Sequence, residues 1–129
     1  MTTLGLNHVN LRAHRAVLDE LKDFYCKVVG LHVGFRPAFP SFCYWLYAQD
    51  IAIIHLSEAT SNAKPQMLMN TVFDHFALNC NDLVGVEAIL KQHDVNYRKA
   101  VVPLTHQVQL FIQDPAGNKV ELNFADVDI

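Results

Sequence analysis

The chain has 129 residues, 51% hydrophobic and 18% charged, a composition that fits one compact domain burying roughly two thirds of its unfolded surface and excludes a disordered tail or a multidomain machine. Ten Lys and Arg against 13 Asp and Glu leave a formal charge of −3, so there is no positive field to collect phosphates, which argues against nucleic acid as a partner. Three cysteines, Cys26, Cys43 and Cys80, are an odd number without CxxC spacing, which argues against a disulfide framework or zinc knuckle and predicts reduced, half-buried thiols.

Leu4 to Leu11 alternates with period 2 and predicts a strand. Val17, Leu21, Phe24 and Val28 then recur at helical spacing, and Gly30 stands where a left-handed C-terminal cap is expected. Leu31 to Ala38, Phe42 to Ala48 and Ile51 to Leu56 are aromatic or β-branched and predict strands, separated by the turn residues Pro40-Ser41 and Gln49-Asp50. Glu58 to Met69 is polar and contains proline, which suits a surface connection. The pattern then restarts. Val72 to Cys80 reads as a strand, and Asn81 or Asp82 caps a helix with the apolar stripe Leu83, Val86, Ile89 and Leu90, ended by His93 or Asp94. Three strands follow, Val95 to Val101, His106 to Gln113 and Lys119 to Phe124, the last two joined by the tight turn Asp114-Pro115-Ala116-Gly117-Asn118.

Both halves therefore read β-α-β-β-β, with modules at about 1–58 and 72–129, a linker over 59–71, and a single domain over 1–129. His8 in the first strand of one half falls on His75 in the other at an offset of 67, and His55 falls on Glu121 at 66. A near-constant offset over a whole module marks an internal duplication. It places four metal-capable side chains at equivalent points of two copies.

Two imidazoles and a carboxylate converging from different strands can hold a divalent transition metal and leave positions open for substrate or water. His8, His75 and Glu121 meet that requirement, and His55 is either a fourth ligand or a base titrating near neutrality. Ionisable residues inside otherwise apolar strands need partners, so a purely structural His–Glu pair is the bland alternative. His14, His32 and His93 read as surface residues, and His106 as solvent-exposed or, less simply, pocket-lining. Most of Phe42 to Tyr47 reads as core, with one or two rings left to line a pocket. Asp19, Glu20, Lys22 and Lys27 read as a solvated helix face. Tyr97-Arg98-Lys99 is either an anion-recognising patch or a solvent-facing edge. Gln109 on the seventh strand is a candidate substrate contact.

These residues resemble the vicinal-oxygen-chelate superfamily, which includes glyoxalase I, fosfomycin-resistance enzymes, extradiol dioxygenases, methylmalonyl-CoA epimerase and bleomycin-resistance proteins. The resemblance spans nearly the whole chain. It is carried by Leu6-Asn7-His8-Val9, Phe24-Tyr25 with Gly30-Leu31, Phe73-Asp74-His75-Phe76, and above all the DPxGNxxEL motif from Asp114 to Leu122. It implies an α+β fold of two βαβββ modules forming a curved, cup-shaped eight-stranded sheet with helices outside. The metal would lie in the cup, within one chain or across a dimer, on His8, His75 and Glu121, with His55 at the fourth position. Glyoxalase I looks like a protein with Glu at that place, so His55 departs from its pattern.

The implied function is metal-dependent chemistry of the lyase, isomerase or dioxygenase kind. It would act on a small vicinally oxygenated substrate chelated through both oxygens by one divalent ion, iron, manganese, nickel or zinc, with His55 and Glu121 catalytic. The alternative is a metal-free small-molecule or drug-binding protein of the bleomycin-resistance kind, whose members look like ones lacking the ligands. A structural dimer in which His55 and Glu121 merely pair is a third. Substrate choice is expected in the loops Phe39 to Ser41, Glu58 to Met69 and Ala100 to His106. The exposed module edges predict a homodimer. No apolar run approaches membrane-span length, and Met1 to Gly5 lacks a basic stretch and an apolar core, which predicts a soluble cytoplasmic protein.

Overall fold

The structure is a computed structural model and describes residues 1–60 and 71–125. The elements follow the expected order: β1 (Val9–Ala13), α1 (Arg15–Lys27), β2 (His32–Gly34), β3 (Cys43–Ala48), β4 (Ile51–Glu58), β5 (His75–Cys80), α2 (Leu83–Gln92), β6 (Arg98–Val102), β7 (Gln107–Gln113) and β8 (Lys119–Phe124). They divide between two compact units, Met1–Pro65 and Gln66–Ile129. Each unit is βαβββ and holds one four-stranded mixed sheet, ordered β1-β4-β3-β2 in the first and β5-β8-β7-β6 in the second. The first strand of each unit runs parallel to the last, and the other pairs are antiparallel. Residues 61–70 of the expected linker lie outside the described residues.

In the first unit α1 covers one face of the sheet. Leu18, Leu21 and Tyr25 are buried with Leu46, Ile54 and Leu56, each aliphatic side chain contributing about 2 kcal/mol by leaving water. The apolar stripe is thus Leu18, Leu21, Tyr25 and Val28, rotated from the expected one, and Val17 and Phe24 are half-buried. Neighbouring positions differ by about 100° around a helix, and hydropathy alone favoured Phe24 over the larger, fully enclosed Tyr25 ring. The helix closes as expected: Gly30 has φ +91° and the Leu31 amide donates to the Tyr25 carbonyl at 2.9 Å, the glycine-dependent left-handed end.

β1 begins at Val9, later than the alternation from Leu4 suggests. Leu4 and Leu6 are exposed, and β4 supplies partners only for Val9 to Ala13. Likewise β2 is limited to His32–Gly34, the stretch paired with Tyr47 to Trp45.

In the second unit Asp82 is the N-cap of α2. Its carboxylate accepts from the Gly85 amide at 3.1 Å. Val108, Leu110 and Ile112 on β7 and Val120, Leu122 and Phe124 on β8 line one buried face, with Phe76 and Leu90 also buried. Glu121 breaks the alternation: it is 7% exposed although it points to the opposite face. The turn before β8 is built on Asp114, whose Oδ1 accepts from the Ala116 and Asn118 amides and whose Oδ2 accepts from the Asn118 side chain, all at 2.9 Å. Gly117, at φ +90°, completes it. Among the described residues no helix is long and apolar enough to cross a membrane.

Candidate functional site

Register confirms that the two histidine-bearing strands are equivalent. His55 pairs across β4 and β1 with Asn10, and Glu121 pairs across β8 and β5 with Ala77. His75 stands two residues before Ala77 on β5 and so shares the sheet face of Glu121, while His8, just before β1, reaches His55 by ring stacking.

Each first-strand histidine is also held by the residue before it. His8 Nδ1 lies 2.8 Å from Asn7 Oδ1, and His75 Nδ1 lies 2.6 Å from Asp74 Oδ2. An amide or carboxylate oxygen only accepts, so Nδ1 is the donor in each contact and Nε2 is the nitrogen left to face a ligand. Hydrogen bonds from His75 and Lys119, at 3.2 and 3.3 Å for the lysine, hold the Asp74 carboxyl below its ordinary pKa.

In the first unit the site face is a column of rings. His8 stacks on His55 with centroids 3.8 Å apart and planes 16° from parallel, and His55 stacks on its cross-strand partner Trp45 at 4.1 Å and 7°. Phe39 follows Trp45 at 6.1 Å. Burial, and then the neighbouring His8, push the His55 imidazole below its ordinary pKa, so it is neutral at neutral pH and able to ligate a metal or accept a proton. Stacked imidazoles have lone pairs in parallel planes, so this geometry does not aim His8 and His55 at a common point. Farther along the face, Asn10 Nδ2 and Arg12 Nε donate to Ser57 Oγ at 3.1 and 3.3 Å.

In the second unit the site face is organised by one carboxylate. Glu121 Oε1 lies 3.2 Å from His75 Nε2, while Oε2 accepts from Gln109 Nε2 at 3.2 Å and Asn123 Nδ2 at 3.1 Å. The Phe111 and His75 rings meet in a T, with centroids 5.7 Å apart and planes at 86°. With Nδ1 engaged by Asp74, His75 turns Nε2 toward a carboxylate oxygen. That contact is favourable only when a second proton or a cation lies there. Two donors adjacent on one transition-metal ion stand about 2.9–3.4 Å apart, given metal–ligand bonds of about 2.0–2.2 Å, so the 3.2 Å separation fits a shared ion.

The structure thus pairs His8 with His55, and His75 with Glu121 and Gln109. Among the described residues no group of three or more His, Cys, Asp or Glu side chains is arranged to hold a metal. His14, His32, His93 and His106 are all exposed, as expected. Sequence reasoning missed Asp74, Asn123, Phe111 and the placement of Trp45 on His55. Asn123 was accessible in principle, since it follows Glu121 by two in a strand and must share its face. Phe111 and Trp45 required the cross-strand register, which no local pattern carries.

A model of the Glyoxalase/Bleomycin resistance protein/Dioxygenase superfamily matches residues 5–122. No curated protein matches the sequence. Among solved structures, a Bacillus anthracis protein described as belonging to the glyoxalase family superposes with a TM-score of 0.76 at 17% identity, covering 98% of both chains. Lactoylglutathione lyase from Agrobacterium tumefaciens gives 0.66 at 18% identity, covering 96% of each chain. The trypanothione-dependent glyoxalase I of Leishmania major gives 0.68 at 19% identity, covering 93% of this chain and 86% of that one. These similarities establish the fold. With the family model matching from the first strand to the carboxylate of the last, the chain belongs to the Glyoxalase/Bleomycin resistance protein/Dioxygenase superfamily.

Proposed function

We propose that the protein is a metal-dependent enzyme acting on a small vicinally oxygenated molecule, by lyase, isomerase or dioxygenase chemistry. The observation that carries this reading is His75, whose Nδ1 lies 2.6 Å from Asp74 and whose Nε2 lies 3.2 Å from the buried Glu121 carboxylate. The proposed donors are His75 and Glu121, with His8 as a further ligand and His55, stacked on His8 rather than aimed with it, as the base. The set suits iron, manganese, nickel or zinc. When bound, such an ion supplies Lewis-acid polarisation of two neighbouring substrate oxygens.

The chain's own residues prepare that role. Asp74 and Asn7 orient the imidazoles. Gln109 and Asn123 occupy Oε2 of Glu121 and leave Oε1 as the ligating oxygen. The neutral imidazole of His55, kept neutral by burial, takes a proton from the substrate or returns one. Trp45, stacked on it, holds the ring plane.

The ring column of His8, His55 and Trp45 favours a second reading, in which the face binds a planar organic molecule without metal, as drug-binding members of the superfamily do. Elemental analysis of protein purified without chelators separates the two. About one transition metal per chain is expected, falling to background in His75→Ala and Glu121→Gln with thermal stability of the metal-free protein little changed. Failure to bind manganese, iron, nickel or zinc on reconstitution overturns the enzyme reading and supports the second.

A further inference from the structure

The basic tripeptide Tyr97-Arg98-Lys99 is divided by the pleat of the chain as it enters β6. Tyr97 Oη donates to Glu87 Oε2 at 2.6 Å, and Lys99 Nζ donates to Glu87 Oε1 at 3.1 Å. Both are thereby committed to tying β6 to α2, and the Glu87 carboxyl is held below its ordinary pKa by them. Arg98, between them in sequence, points to the other face. Its guanidinium carbon lies 4.4 Å from the centroid of Phe111, the same ring that packs against His75.

Register fixes how far this cation is from the carboxylate. Arg98 pairs with Phe111, and Phe111 pairs with Glu121, so two strand spacings of about 4.8 Å separate Arg98 from Glu121 at the backbone. An extended arginine spans most of that distance.

The acidic groups on this face are already engaged. Glu121 is taken by His75, Gln109 and Asn123, and Asp74 by His75 and Lys119. Among the described residues no carboxylate pairs with Arg98. With its Cζ set over the Phe111 ring and no described carboxylate partner, the exposed guanidinium keeps N–H groups for a ligand, and its planar fork suits a carboxylate or phosphate.

From this geometry we infer that Arg98 is a substrate-specificity residue: it anchors a negatively charged oxygen group carried by the molecule that His75 and Glu121 receive. The inference rests on the reading that this face receives substrate, and it narrows the substrate class to vicinally oxygenated anions. Phe111 has a positioning role, since its ring contacts both the guanidinium and the His75 ring.

The test compares 3,4-dihydroxybenzoate with 3,4-dihydroxybenzamide, which share the vicinal oxygens and size and differ in charge. Isothermal titration is run on the manganese-loaded and metal-free protein, for the wild type, Arg98→Gln and Arg98→Lys. The wild type is expected to favour the anion by about fivefold, the upper end for an exposed ion pair. Arg98→Gln is expected to abolish that preference while keeping affinity for the amide, and Arg98→Lys to keep part of the preference. Arg98 is exposed, so both variants fold, which an unchanged melting temperature checks. Manganese reports separately on the metal reading: if both ligands bind equally well with and without the ion, that reading fails while a preference lost in Arg98→Gln still supports the inference. Equal wild-type affinities, a preference that survives Arg98→Gln, or no binding of either ligand at millimolar concentration overturns it.

Discussion

The two units share one backbone plan and differ in what they place at its equivalent points. Each has a histidine two residues before the register partner of a last-strand ionisable residue, and each such histidine is oriented by the residue before it. In the first unit that residue is Asn7 and the last-strand group is a neutral imidazole in a stack of rings. In the second it is Asp74 and the last-strand group is a buried carboxylate ringed by donors. The backbone positions the groups, and single substitutions choose the chemistry. A face of stacked rings and one organised around a carboxylate arise from the same strand order.

The sharpest test of this equivalence is in the core. Leu56 and Leu122 stand at the same offset as His55 and Glu121 and are 0% and 1% exposed. Leu56→Ala and Leu122→Ala are each expected to cost about 2–5 kcal/mol, measured by urea unfolding. A cost for one well below that range would break the structural equivalence.

Next in size is the difference between Asp74 and Asn7. Asp74→Asn makes the second unit resemble the first, and its expected effect is a loss of metal affinity of about 10–100-fold, read by competition with a chromogenic chelator. Asn7→Ala is expected to weaken affinity less, since a neutral amide orients His8 without adding charge.

The ring column is tested through the single tryptophan. His55→Ala removes the ring stacked on Trp45 and is expected to shift its emission to longer wavelength as water reaches the indole. The accompanying loss of stability is about 1 kcal/mol. Glu121→Gln, on the other unit, should leave the emission of metal-free protein unchanged.

The smallest expected effect concerns Glu87, which takes a lysine as well as a tyrosine, whereas Asp19 on α1 accepts from Tyr44 Oη at 2.7 Å. Tyr97→Phe should lower stability slightly at neutral pH through the loss of its bond to Glu87. Because the folded state holds the Glu87 carboxyl below its ordinary pKa, this stability is present above the unfolded pKa and disappears as pH falls through the folded one. Unfolding free energies of wild type and Tyr97→Phe should therefore converge in acid. A difference that persists there would assign the effect to packing.

Sequence patterns located β8, α2 with its Asp82 cap, and the Gly30 helix end because each depends on neighbours within a few residues. The ligand candidates were legible through the duplication, which converts an isolated histidine into one of an aligned pair. Other features depend on which strand lies alongside. The late start of β1 lies in the pairing itself, which joins only Val9 to Ala13 to β4. The rotation of α1 toward Leu18 and Tyr25 follows from the packing of the sheet beneath it. The division of Tyr97, Arg98 and Lys99 between two faces follows from the pleat, but the significance of Arg98 depends on Phe111, thirteen residues on and one strand over. The sequence offered an anion-binding patch or a solvent edge for this tripeptide, and the structure shows Tyr97 and Lys99 engaged with Glu87 and Arg98 stacked alone.

The Asp114 turn has a consequence for how this site tolerates change. β8 is held on both sides, by β5 and β7, and the turn closed by Asp114 and Asn118 determines which residue enters it first. Side chains alternate along a strand, so one residue inserted between 114 and 118 that slipped β8 by one position would carry Glu121 into the apolar layer and bring an aliphatic neighbour to the site face. An insertion of two would restore the face but displace the carboxylate by about 7 Å along the strand. The hairpin is therefore a frame-setting element for the chemistry, and lengthening it is a more severe change than lengthening the loop between β6 and β7, which enters the opposite end of the neighbouring strand.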